Sequence, residues 1–158
     1  MAHGAKWLLA HTILRSMAGR GVQIRMPSRP SAIAPTIDRV LNAVAPAGFT
    51  AAQRDDLSVA LAEALANAVV HGNRRRARAF VAIGVLVEPR KSATITVRDS
   101  GKGFQRDSVP DPRHPDALML PRGRGVFLMR RLMDAVEYNR KGNEVRLTLR
   151  RRARRRVA

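Results

Sequence analysis

The stretch Glu63-Ala64-Leu65-Ala66-Asn67-Ala68-Val69-Val70-His71-Gly72-Asn73 decides how this chain is read. Side chains four apart lie on one face of a helix, so helical spacing puts Glu63, Asn67 and His71 in one row. Leu57, Leu61, Ala64, Leu65 and Ala68 fall largely on the other side, where they can pack on a sheet. Glu63 stands apart from the chain's other glutamates, Glu88, Glu137 and Glu144, because alanine and leucine surround it. A carboxylate on a half-buried helix face suits general-base chemistry. An amide oxygen one turn later suits a hard cation such as Mg²⁺, which keeps waters and takes further oxygens from substrate phosphates. Taken alone, the segment reads equally as a solvated polar face on a helix that ends at Gly72.

Upstream, Thr50 is a suitable N-cap for this helix, which would run to about His71 with Asp55 and Asp56 early enough to suit its dipole. Pro46-Ala47-Gly48 separates it from an earlier helix over 31–45, marked by Ile33, Ile37, Val40, Leu41 and Val44. Before that, Val22, Ile24 and Met26 alternate with Gln23 and Arg25, the period of a strand. Downstream, strands are expected over 80–87 and 94–98, joined as a hairpin through Glu88-Pro89-Arg90-Lys91-Ser92. A Pro-rich loop follows over 105–122, then an apolar helix over 125–133. A last hairpin has strands at 136–138 and 145–149 and turns at Arg140-Lys141-Gly142-Asn143. Helices and strands are partly segregated along the chain, so an α+β sandwich fits better than alternating βαβ units.

Composition bounds what such a domain can do. The chain has 158 residues, 45% of them hydrophobic, which is enough for one domain with its own core and argues against disorder throughout. It has no cysteine, which excludes disulfides, a thiol nucleophile and thiolate zinc sites. Lys and Arg number 30 against 12 Asp and Glu, and 30 − 12 gives +18. That balance favours acidic partners, among them nucleic acid, although codon bias toward arginine would produce it too. We divide the chain into an N-terminal extension over 1–21, one domain over 22–149 and an arginine-rich tail over 150–158. Apolar runs fall short of the ~20 residues of a membrane span. His11 and Arg15 interrupt the first of them, so no export signal is read there.

Two further motifs bear on chemistry. Asp99-Ser100-Gly101-Lys102-Gly103 follows directly on an apolar strand. A carboxylate only accepts hydrogen bonds, so at a strand end it suits an exocyclic amine such as that of adenine. Glycines let the backbone come close to a ligand, although Asp-Ser-Gly is also ordinary turn sequence. Gly123-Arg124-Gly125 opens the apolar helix, and a helix N-terminus with free N–H groups is a natural phosphate site. No Walker P-loop and no G-x-G-x-x-G fingerprint is present.

These motifs, in this order, resemble the N, G1 and G2 boxes of the GHKL ATPase superfamily, and most of all the anti-sigma-factor serine kinases of the RsbW and SpoIIAB type. Residues 123–134 are especially similar to that branch, and the likeness extends over about 22–149. The resemblance implies a Bergerat-type two-layer α/β sandwich, with one mixed, mostly antiparallel sheet and helices on one face. It implies ATP and Mg²⁺ as cofactors. Asp99 would bond the adenine amine, Gly101 and Gly103 would shape the adenine pocket, and Thr148 would reach adenine through water. Asn67 would bind the metal, Gly123 and Gly125 the phosphates, and residues 105–122 would form the ATP lid. Glu63 would be the base that activates a partner's serine. The implied partners are a sigma factor and a STAS-domain anti-anti-sigma protein, with a homodimer; a cytoplasmic location is expected from the lack of an export signal and the need for ATP. The alternative is a non-catalytic ATP-binding module that sequesters a partner. The +18 charge, the arginine tail, Arg124 and the N-terminal extension stand outside the family pattern and leave room for weak nucleic-acid binding.

Overall fold

A computed structural model describes residues 20–74, 76, 78–103 and 121–152. The extension before residue 20, the tail after 152 and all but the last two residues of the expected lid lie outside the described residues. Five strands, β1 (Arg20–Pro27), β2 (Phe80–Glu88), β3 (Ser92–Arg98), β4 (Ala135–Tyr138) and β5 (Glu144–Arg150), form one sheet in the order β1-β2-β3-β5-β4. Every pairing is antiparallel, the limiting case of the mostly antiparallel sheet expected.

Alternation sorts the strand residues between two faces. Ile24 and Met26, then Val81, Ile83, Val85 and Val87, then Ala93, Ile95 and Val97, then Val145, Leu147 and Leu149, are all buried on one side. The register locks them into rows, Ile24 beside Ile83, Ile83 beside Val97 and Val97 beside Val145. A slip of one residue would turn every one of them to the wrong face, so burial of this side fixes the pairing.

The helices cover that face. Helix α1 (Ile33–Ala43) buries Ile37 and Val40, helix α2 (Ala51–Asn67) buries Leu57, Ala60, Leu61, Ala64 and Leu65, and helix α3 (Pro121–Leu132) buries Val126 and Met129. Helix α2 starts in a capping box: the Gln53 N–H donates to Thr50 Oγ1 at 3.2 Å, and the Thr50 N–H donates to Gln53 Oε1 at 3.4 Å. Asp55 and Asp56 fall past the first turn, so the cap rather than their charge ties down this end. Helix α3 begins at Pro121, earlier than the expected start at 125, because proline suits the first position of a helix. No helix among the described residues is long and apolar enough to cross a membrane.

Candidate functional site

Helix α2 does not stop at Asn67. It continues as one π-helical turn, Ala68–Gly72, closed by the Asn73 N–H donating to the Ala68 carbonyl at 2.7 Å. Such turns are uncommon and often occur at functional sites. This one interrupts the helical row, so the face shared by Glu63 and Asn67 does not continue unchanged to His71, which is exposed. It also presents Gly72 to the end of β3. A Cβ on Gly72 would overlap the Asp99 carboxylate, and a Cβ on Gly101 would overlap the Gly72 carbonyl. Two glycines on separate elements therefore make the space in which Asp99 sits.

Asp99 is held on several sides. Its Oδ1 accepts the Gly101 N–H at 2.7 Å. Its backbone N–H donates to the Asn143 carbonyl at 3.0 Å, and its carbonyl accepts Asn143 Nδ2 at 3.1 Å. Burial raises the carboxyl above its usual range, and the Gly101 amide and the charges of Lys141 and Arg76 oppose that rise in part. Gly103 has a positive φ of 80° and lies so close to the Lys141 carbonyl that a side chain there would collide with it. Gly103 therefore lets the glycine turn pack closely against the β4–β5 hairpin.

On the other flank, Glu63 and Asn67 sit side by side at the start of α3. A Cβ on Gly125 would stand 2.5 Å from Glu63 Oε2 and 3.6 Å from Asn67 Nδ2. The Glu63 carboxylate thus lies against the second turn of α3, just past its first-turn donors. In a helix beginning at Pro121, the Gly123 N–H is among the first-turn donors without an intrahelical partner, whereas the Gly125 N–H closes a bond to the preceding turn. Gly125 therefore matters for lacking a side chain, and of the two glycines only Gly123 keeps a first-turn N–H without an intrahelical partner. Arg124 is exposed.

Thr148 is not brought to this group. It lies on the face of the sheet opposite the helices, because Leu147 and Leu149 take the buried side. Its Oγ1 lies 3.4 Å from that of Thr94, its neighbour on β3. Thr94 is about 17 Å from Asp99 along the strand, at ~3.4 Å per residue. Strand alternation and register both place Thr148, expected to reach adenine through water, away from the group around Asp99.

Sequence reasoning assigns no role to Gly72, Asn73 or Asn143. Asn73 is fully buried at 0% exposure, its Oδ1 accepting the Ser100 N–H at 2.9 Å and its Nδ2 donating to the Phe80 carbonyl at 3.1 Å. Only the β3–β5 register brings Asn143 to Asp99, and a single sequence carries no signal for that. Among the described residues, no group of three or more histidines, cysteines or acids is placed to hold a metal ion.

Known proteins resemble this chain in sequence and in fold. The histidine kinase-like ATPase domain family matches residues 26–149. The anti-sigma F factor of Anoxybacillus flavithermus is 31% identical over 93 residues, 56% of this chain and 62% of its own length, so the chain spans less than two thirds of that relative. The serine-protein kinase RsbW of Oceanobacillus iheyensis is 28% identical over 127 residues, 75% of this chain and 78% of its own. Among solved structures, the RsbU and RsbW domains of Rv1364c from Mycobacterium tuberculosis superpose with a TM-score of 0.57 at 15% identity. That match covers 84% of this chain and 32% of the mycobacterial one, and it speaks to fold. With most of its length matched, this chain belongs to the histidine kinase-like ATPase domain family.

Proposed function

We propose that this protein is an ATP-dependent serine kinase acting as an anti-sigma factor, which binds a sigma factor and phosphorylates a STAS-domain antagonist. The observation that carries the reading is the convergence, at one end of α2, of Asp99 in its glycine-lined niche and of the Glu63–Asn67 pair at the start of α3.

The residues fit the cofactors of such a reaction. Asp99 is an acceptor at the end of a strand, with Gly72 and Gly101 keeping side chains out of the way, as an adenine amine requires. Asn67 offers an amide oxygen for Mg²⁺, a cation that takes its remaining oxygens from phosphate and water. Gly123 offers a backbone donor for phosphate. Bound ATP and Mg²⁺ supply the phosphoryl group and neutralise its charge. In phosphoryl transfer the protein contributes mainly position and electrostatics. Here Glu63 accepts the proton of the incoming serine hydroxyl, and the free N–H groups in the first turn of α3 stabilise negative charge on the phosphates. The same reading includes a homodimer that engages the sigma factor.

Calorimetric titration of ATP, with and without Mg²⁺, tests the pocket. Wild type should bind in a Mg²⁺-dependent manner, and Asp99→Asn should lose that binding. Incubation with labelled ATP and a STAS-domain partner should then yield phosphoserine on the partner. No ATP binding by wild type overturns the nucleotide reading. Binding without any phosphoprotein leaves a non-catalytic ATP-binding module that sequesters its partner.

A further inference from the structure

Two buried amides next to Asp99 take no part in the chemistry just described. Asn143 is 4% exposed and Asn73 is 0% exposed. Asn143 exchanges two hydrogen bonds with the Asp99 backbone: its carbonyl accepts the Asp99 N–H at 3.0 Å, and its Nδ2 donates to the Asp99 carbonyl at 3.1 Å. The exchange carries the β3–β5 ladder one step past the Arg98–Glu144 pair, with a side chain taking the place of the backbone donor.

Asn143 is itself fixed. Asn139 Nδ2 donates to Asn143 Oδ1 at 2.9 Å, and the Asn143 N–H donates to Asn139 Oδ1 at 3.1 Å. From the other side, Asn73 Oδ1 holds the Ser100 N–H at 2.9 Å, and the Asn73 Nδ2 bond to the Phe80 carbonyl anchors it to β2. The N–H and C=O of Asp99 and the N–H of Ser100 are thus all bound by asparagine. Asp99 Oδ1 is taken by Gly101, which sets the direction of Oδ2.

We propose that Asn143, oriented by Asn139, and Asn73 are positioning residues that aim the Asp99 carboxylate at the 6-amino group of the purine and so set the preference for adenine. The proposal rests on the reading of Asp99 as the adenine-binding residue. Recognition by one carboxylate depends on angle, because hydrogen bonds weaken steeply as they bend. A carboxylate free to swing keeps its charge but loses selectivity.

The test compares Kd for ATP with Kd for purine riboside triphosphate, which lacks the amine, in wild type, Asn143→Ala and Asp99→Asn. Removing a positioning hydrogen bond should weaken ATP binding about 3–10-fold. Binding of the amine-free analogue should hardly change, so the ATP preference contracts by the same factor. A structural role alone would weaken both nucleotides equally and leave the ratio intact, which overturns the proposal. If Asn143→Ala does not fold, Asn139→Ala is read in the same way, since Asn139 is half-exposed and lies outside the core. A wild type with no preference, or an Asp99→Asn variant that keeps it, refutes the adenine reading of Asp99 and the proposal with it. A wild-type preference that depends on Asp99 but not on Asn143 or Asn139 refutes the proposal alone.

Discussion

Asp99 pays for its position with stability, and the sign of that cost can be measured. Burial raises its carboxyl above the ordinary value of 3.8, so the folded state holds the proton more tightly than the unfolded chain. Linkage then makes Asp99 destabilising above its folded pKa, with the penalty vanishing as pH falls below about 3.8. Asp99→Asn should therefore melt at or above the wild-type temperature at pH 7 while failing to bind ATP, and the two melting curves should converge in acid. A lower Tm for Asp99→Asn at pH 7 would show that the carboxylate is a net structural contributor. Glu63 poses the complementary case. Replacing it with glutamine keeps the shape of the side chain beside Gly125 but removes the proton acceptor. Phosphotransfer by Glu63→Gln should drop ~10²–10⁴-fold, the usual effect of removing a general base, with ATP affinity held. Unaltered transfer by this variant would remove Glu63 from the mechanism.

At the scale of elements, the start of α2 and the end of β5 are joined through a single buried side chain. Gln53 is 3% exposed; its Nε2 donates to the Arg150 carbonyl at 2.7 Å, and its Oε1 accepts the Arg152 N–H at 3.2 Å. Gln53→Ala leaves those backbone groups without their partner, at a cost of about 1–3 kcal/mol. Each kcal/mol corresponds to a fall in Tm of roughly 2–4 °C in a chain of this size. Because Asn67 lies about 21 Å farther along the helix at ~1.5 Å per residue, ATP affinity should not change. A differential scan paired with ATP titration checks both halves. The two ends of α2 also show what sequence can convey. Thr50 is legible as an N-cap, and the strands announce themselves through alternation, so local rules recover both. The π turn at Ala68–Gly72 leaves no such mark, since it exists to seat Gly72 against Asp99 and Asn73 against Ser100. Those contacts depend on tertiary placement. Thr148 shows both kinds of signal: its face follows from alternation with Leu147 and Leu149, whereas its distance from Asp99 follows from the β3–β5 register.

Over the whole molecule, charge is the feature that the catalytic reading leaves over. The excess of 30 basic over 12 acidic residues gives +18, and part of it gathers at the end of the sheet away from Asp99. There the Arg151 N–H donates to the Lys91 carbonyl at 2.7 Å, which sets the β2–β3 turn with Arg90 and Lys91 beside Arg150, Arg151 and Arg152. Some of that charge is locally balanced, Lys91 by Glu88 at 2.6 Å and Arg152 by Asp134 at 3.8 Å. Any polyanion that the remainder attracts would be held through its phosphates, and such binding should fall steeply with salt. The tail beyond Arg152 adds Arg154, Arg155 and Arg156. A deletion meant to test the tail must spare residues 150–152, because Arg150 and Arg152 are bonded to Gln53 and Arg151 Nε donates to the Gly48 carbonyl at 3.1 Å. Truncation after Arg152 should leave the melting temperature and ATP affinity as they are. In fluorescence anisotropy with duplex DNA it should flatten the slope of log K against log salt by up to ~2.7, about 0.9 for each phosphate that these arginines no longer neutralise. An unchanged slope would assign the attraction to the folded end of the sheet, and charge reversal at Arg90 and Lys91 would then be the variant that removes it.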